Sequence, residues 1–178
     1  MNKDFDIKIA GDKPSKDIKR NIEKSLLENG PDKIAVKKAK EWGKLVALKF
    51  IEDAQSTANA EANHELLIQR RMLLSFTATI GFEQLCGDDI LSGIAQKSFI
   101  DNIKAESKAI YDTSGDTGAF SFYYLAFRRG NEIERRIGQT FAMLCSHDGD
   151  PIFQELGEAL YCWFLSVVKN SAKQCEII

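Results

Sequence analysis

The fold class is decided by residues 66–85, which read LLIQRRMLLSFTATIGFEQL. On a helix of 3.6 residues per turn, this stretch places apolar side chains on nearly every side. A helix without a polar face is normally surrounded by other helices. The sequence therefore predicts a helix over residues 61–86, ended by Gly87, at the centre of an all-α domain.

Helices with one apolar face are predicted on both sides of this central helix. The residues predicted to open or cap the helices, central helix included, are Ser15, Pro31, Glu61, Asp88, Asn131 and Asp150. Glu134 follows Asn131 at the spacing of a capping box. The helix that follows Asp88 is expected to run to about Tyr111. These segments predict a compact array of six or seven helices.

The first 13 residues carry a different pattern. Phe5, Ile7 and Ile9 alternate with charged residues, which is typical of a strand. With no second convincing strand in the chain, the segment could lie on the helices, pair with another chain or be disordered. We therefore expect a short extended or flexible N-terminal arm at 1–13 and a single helical domain at 14–178.

The segment after the fourth predicted helix does not identify its own secondary structure. Residues 112–118 read DTSGDTG and predict a loop. In the segment Phe120–Phe127, one set of aromatic residues fits helical spacing and another fits the alternation of a strand. Both assignments remain open from sequence alone.

Composition and cysteine usage indicate a soluble protein of the cytoplasm. No run of about 18 apolar residues is present, and the opening residues lack the apolar segment of a signal peptide. The four cysteines show no C-x-x-C spacing and are expected to be free thiols in a reducing compartment.

The charge is divided unevenly along the chain. The net charge is −2, but residues 1–49 hold 13 Lys and Arg against 8 Asp and Glu, and the rest is acidic. This asymmetry marks either a docking surface or two faces that attract each other within one fold. A lysine stripe at Lys33, Lys37, Lys40 and Lys44 is diluted by acids, so we do not expect nucleic-acid binding.

The sequence argues against several classes of chemistry. Its two histidines are His64 and His147. Glu61 and His64 have the spacing of one ferritin-like ligand pair, but the second pair that such a site needs is missing. No phosphate-binding loop, dinucleotide fingerprint or nucleophile elbow is present. We expect no metal, no cofactor and, on balance, no catalytic activity.

Two adjacent arginines suggest an anion site. Arg128 and Arg129 directly precede Gly130 and Asn131, where a helix is predicted to begin. The N–H groups at a helix N-terminus attract anions, and arginines beside it would complete a phosphate or carboxylate site. The alternative is that these arginines pair with nearby glutamates on a solvated face.

Three other side chains complete this candidate site. Tyr123 and Tyr124 would line an aromatic pocket next to the loop 112–118, and Glu83 would act as a base. Glu83 stands out because it interrupts an apolar run, where a carboxylate needs a partner or has a raised pKa. Ordinary core packing of the tyrosines and a structural role for Glu83 are the competing interpretations.

The sequence thus leads to two functional hypotheses and to no family. The first is a non-enzymatic binding or scaffold domain that acts through protein–protein contacts, including self-association as a homodimer. The second is a protein, or an enzyme, for a small anionic ligand bound by Arg128 and Arg129.

Overall fold

The computed structural model of the chain describes residues 32–58 and 63–178. These two ranges form seven α-helices and contain no strand, which confirms the all-α class. The helices are α1 (Lys33–Ala58), α2 (His64–Leu85), α3 (Asp89–Glu106), α4 (Lys108–Asp112), α5 (Thr117–Arg128), α6 (Ile133–Leu144) and α7 (Pro151–Gln174). The arm predicted at 1–13 and the helix predicted to begin at Ser15 lie outside the described residues.

Helix α2 lies at the centre, as its lack of a polar face predicts. It packs most extensively against α7 and also contacts α1, α3, α5 and α6. Leu73, Phe76 and Phe82 of this helix are fully buried. Burying apolar surface on several sides at once is the main stabilising contribution of a central helix.

Two other helix pairs approach each other at glycines. A Cβ built on Gly43 of α1 would lie 2.1 Å from the carbonyl oxygen of Ala95 in α3. A Cβ on Gly138 of α6 would lie 2.3 Å from the carbonyl oxygen of Gln154 in α7. At both crossings the backbones touch directly, which only a residue without a side chain permits.

Helix α7 is buried on one side only. On the inner side, Phe164 and Val168 lie fully buried in the core. On the outer side, however, Ile152 is 73% exposed and Trp163 is 42% exposed. Within the described ranges, neither α7 nor any other helix is both long and apolar enough to cross a membrane.

The helix predicted to run from Asp88 to Tyr111 is interrupted. It divides into α3 and the single turn of α4 at Ser107, whose backbone is extended. The N–H of Ser107 donates to Ile103 at the end of α3, and its hydroxyl accepts from Ile110 in α4. One serine therefore closes one helix and caps the next, a function that serine performs without a glycine or proline nearby.

The predicted N-cap at Asn131 is wrong. Helix α6 begins at Ile133, and its N-cap is Glu132, which has a left-handed backbone (φ 52°) and no side-chain capping bond. Gly130 also has a positive φ, of 78°. These two left-handed residues turn the chain sharply after α5, so the helix starts one residue later than a capping box at Asn131 predicts.

Candidate functional site

The aromatic segment Phe120–Phe127 lies within α5 and is therefore a helix and not a strand. The loop before it is shorter than expected and covers Thr113–Asp116. The carboxylate of Asp116 caps the helix by accepting from the N–H of Ala119 at 2.9 Å. Because successive residues of a helix lie about 100° apart, the neighbours Tyr123 and Tyr124 point in different directions.

Tyr123 belongs to the core and is fully buried. Its ring stacks on Phe76 of α2 with a centroid distance of 5.2 Å. Among the described residues its hydroxyl finds no hydrogen-bond partner. Burial raises the pKa of Tyr123 well above its ordinary range, with a smaller contribution from Cys145.

Removing this hydroxyl is expected to stabilise the protein. A buried hydroxyl without a partner loses its bonds to water on folding, so Tyr123→Phe should raise the free energy of unfolding by about 1 kcal/mol. Urea denaturation at neutral pH measures the difference. Tyr124→Phe is the matched control, since that hydroxyl already has a partner at the surface.

Tyr123→Phe should also make the free energy of unfolding fall less steeply at alkaline pH, because phenylalanine has no phenolic proton to lose. Because folding raises the pKa of Tyr123, the native state holds the phenolic proton more tightly than the unfolded chain does. The contribution of this pKa shift to the free energy of unfolding is fully present below about pH 10 and is lost as the pH rises further. Loss of stability by Tyr123→Phe at neutral pH would show instead that the hydroxyl is hydrogen bonded.

Tyr124 and Glu83 meet at the surface between α5 and α2. The Tyr124 hydroxyl donates to Oε1 of Glu83 at 3.4 Å. Partial burial raises the pKa of Glu83, the bond from Tyr124 opposes this shift, and Asp89 adds to it. Burial and the neighbouring Glu83 raise the pKa of Tyr124 to about 12. Glu83 is exposed and forms no ion pair with an arginine of the described ranges.

Arg128, Arg129 and Asn131 are exposed where α5 turns into α6. Within residues 32–58 and 63–178, neither Arg128 nor Arg129 has an ion-pair partner. Arg128 lies one turn after Tyr124 on the same side of α5, and its charge lowers the pKa of Tyr124. The structure thus groups Arg128, Tyr124 and Glu83 on one surface and leaves Tyr123 in the core.

Two further arginines are placed by contacts that sequence reasoning did not identify. Arg70 forms a two-pronged, largely buried ion pair with Asp53 of α1, at 2.9 Å and 2.6 Å. Arg71 donates to the Thr113 hydroxyl at 2.9 Å and to the carbonyl of Ala54 at 3.4 Å. These contacts hold α1 and the loop before α5 against α2, so Arg70 and Arg71 stabilise the fold.

Sequence reasoning also missed two exposed apolar side chains on α5. Phe122 is 48% exposed and Leu125 is 60% exposed, and they lie one turn apart on the same side of the helix. A signal existed in the sequence: when Phe120, Tyr123, Tyr124 and Phe127 are placed on the inner side of a helix, Phe122 is the aromatic residue left over. We call Phe122, Leu125 and Arg129 the α5 outer face.

The candidate residues lie away from the grooves found on the described residues. Three shallow grooves of 510, 390 and 440 Å³ lie elsewhere, along α1 and near both ends of α3, and none of the three is lined by the candidate residues. The described part of the chain holds no cluster of three or more His, Cys, Asp or Glu side chains that could bind a metal ion. Comparison of the chain with protein-family models, with curated proteins and with solved structures gave no match.

Proposed function

We propose that this chain is a non-enzymatic binding or scaffold domain that contacts a protein partner through the α5 outer face. The observation that carries the proposal is the exposure of Phe122 and Leu125 on one side of a helix whose other side is buried. A single exposed leucine is ordinary, but a phenylalanine and a leucine one turn apart form an apolar contact surface. Protein interfaces are enriched in aromatic residues and arginine, which this face combines.

The positive charge beside the α5 outer face indicates what kind of partner surface it would bind. Arg129 lies one turn after Leu125 on the same side of the helix, and Arg128 borders it. Both guanidinium groups are free of ion pairs within the described residues. A partner that presents apolar side chains next to carboxylates, such as an acidic amphipathic helix, satisfies both parts.

Site-specific cross-linking in the source cells tests the proposal. A photoreactive amino acid at Leu125 should give a discrete cross-linked product that contains a second protein. Adding Phe122→Ser or Arg129→Glu should lower its yield roughly ten-fold or more, because interface anchors dominate binding. The control carries the same probe at Leu48, which is 50% exposed on α1. Equal products from both positions would contradict the proposal.

The alternative is a protein for a small anionic ligand held by Arg128, Arg129 and Asn131, with Tyr124 beside it and Glu83 as base. The absence of acidic partners for the two arginines among the described residues favours it. Stabilisation by inorganic phosphate that disappears in Arg128→Ala, without cross-linking from Leu125, would support this alternative. Four unpaired cysteines support a cytoplasmic location for either function.

A further inference from the structure

We propose that the outer side of α7 binds the same side of a second copy of this chain, with the two helices antiparallel. The surface consists of Ile152, Leu156, Ala159, Trp163 and Val167, and we call it the α7 stripe. It lies on a different helix from the α5 outer face, and the proposal does not depend on the function proposed for that face.

The spacing of the stripe is that of a helix–helix seam. Its residues follow one another at intervals of four, three, four and four, which keeps them on one side of the helix. Ile152 and Trp163 are 73% and 42% exposed, Ala159 is exposed, and the remaining two are half-buried. The 24 residues of α7 extend over about 36 Å, long enough for several layers of contact.

The charged residues beside the α7 stripe indicate which partner this surface binds. Glu155 lies near the start of α7, whereas Lys169 and Lys173 lie near its end, on the same flank of the stripe. All three are exposed and form no ion pair with described residues. The flank therefore begins acidic and ends basic.

This polarity makes the flank complementary to itself when a copy is reversed. In an antiparallel pair related by a two-fold axis, equivalent flanks face each other, and the start of one helix lies against the end of the other. Glu155 of each chain then lies opposite Lys169 and Lys173 of its copy. In a parallel pair, equivalent flanks would lie on opposite sides of the interface, so Glu155 would face neither lysine of the copy and these attractions would be lost.

The same pairing places Trp163 at the two-fold axis. Position 163 lies midway between 155 and 171, and 171 lies between the two lysines. Each Trp163 therefore meets its equivalent at the centre of the interface, where large aromatic side chains contribute most to affinity. Cys162 is exposed next to this axis, so the two Cys162 thiols are brought near each other.

Measuring the mass of the full chain in solution tests the pairing. Sedimentation equilibrium at micromolar concentration should give the mass of two 20.0 kDa chains. Trp163→Ser or Ile152→Ser should weaken dimerisation roughly thirty-fold or more, as expected for anchor residues. Leu125→Ser, on the α5 outer face, is the matched control and should not change it. Circular dichroism melts verify that each variant is folded.

Charge reversal tests the antiparallel register. Glu155→Lys should weaken the dimer, and the further changes Lys169→Glu and Lys173→Glu should restore it, since the attractions are then reversed in sign and kept. A short bismaleimide should join two chains through Cys162, the exposed thiol, and Cys162→Ser should abolish the product, because the other three cysteines are buried. A strict monomer at these concentrations, or a dimer unaffected by Trp163→Ser, would overturn the proposal.

Discussion

Replacing Gly43 by alanine should lower the free energy of unfolding by about 3 kcal/mol, at the upper end of the usual cost of overpacking a core. The added Cβ would lie 2.1 Å from the carbonyl oxygen of Ala95 and 2.9 Å from its carbonyl carbon. Neither backbone atom can rotate away as a flexible side chain does. Helices α1 and α3 must therefore move apart along their length, and packing around both is lost.

A second glycine provides the matched control. Gly93 lies on α3, is exposed, and a Cβ built there meets nothing within 4 Å. Gly93→Ala should therefore raise the free energy of unfolding by up to about 1 kcal/mol, the helix preference of alanine over glycine. Urea denaturation of both variants gives the comparison. If Gly43→Ala is as stable as Gly93→Ala, the two helices do not touch at this crossing.

The central helix of the fold is predictable because the pattern that identifies it lies within one continuous stretch of sequence. The apolar character of residues 66–85 on every side requires neighbours on every side, whichever helices supply them. Gly43 shows the opposite case. Nothing around it in the sequence distinguishes a close crossing from a tolerated glycine, since the reason for the glycine is Ala95 on another helix.

The predicted helix boundaries are wrong where the backbone conformation, and not the pattern of side chains, determines where a helix begins or ends. Asn131 and Glu134 have the spacing of a capping box, yet the left-handed backbone of Glu132 starts α6 later. Ser107 divides a helix whose apolar periodicity continues on both sides. A period of 3.6 residues identifies the helix but carries no information on such a turn.

The candidate site was predicted only in part for a similar reason. From the sequence, Tyr123 and Tyr124 are equivalent lining residues, but a rotation of about 100° between them puts Tyr123 in the core and Tyr124 at the surface. For Glu83, the interruption of an apolar run does not distinguish a base from a carboxylate with a structural partner. In the structure it marks the position at which α2 reaches the surface and meets Tyr124.

Replacing Trp42 by alanine should destabilise the protein by about 3–5 kcal/mol, the usual cost of removing a large buried aromatic side chain. Trp42 is fully buried, and its ring packs edge-to-face with that of Phe82 at a centroid distance of 4.8 Å. Its indole N–H donates to the carbonyl of Val168 in α7 at 3.0 Å. The side chain thus contacts α2 and α7 from α1, and its removal leaves a cavity among the three helices.

Trp42→Phe separates the two contributions of this side chain. Phenylalanine retains most of the volume but cannot donate to Val168, whose carbonyl remains in place within α7. The lost hydrogen bond costs about 1 kcal/mol, and the smaller ring adds a limited cavity, so the expected loss is about half that of Trp42→Ala. Guanidinium denaturation followed by circular dichroism measures both variants. A loss below about 2 kcal/mol for Trp42→Ala would show that α1 does not close the core at this position.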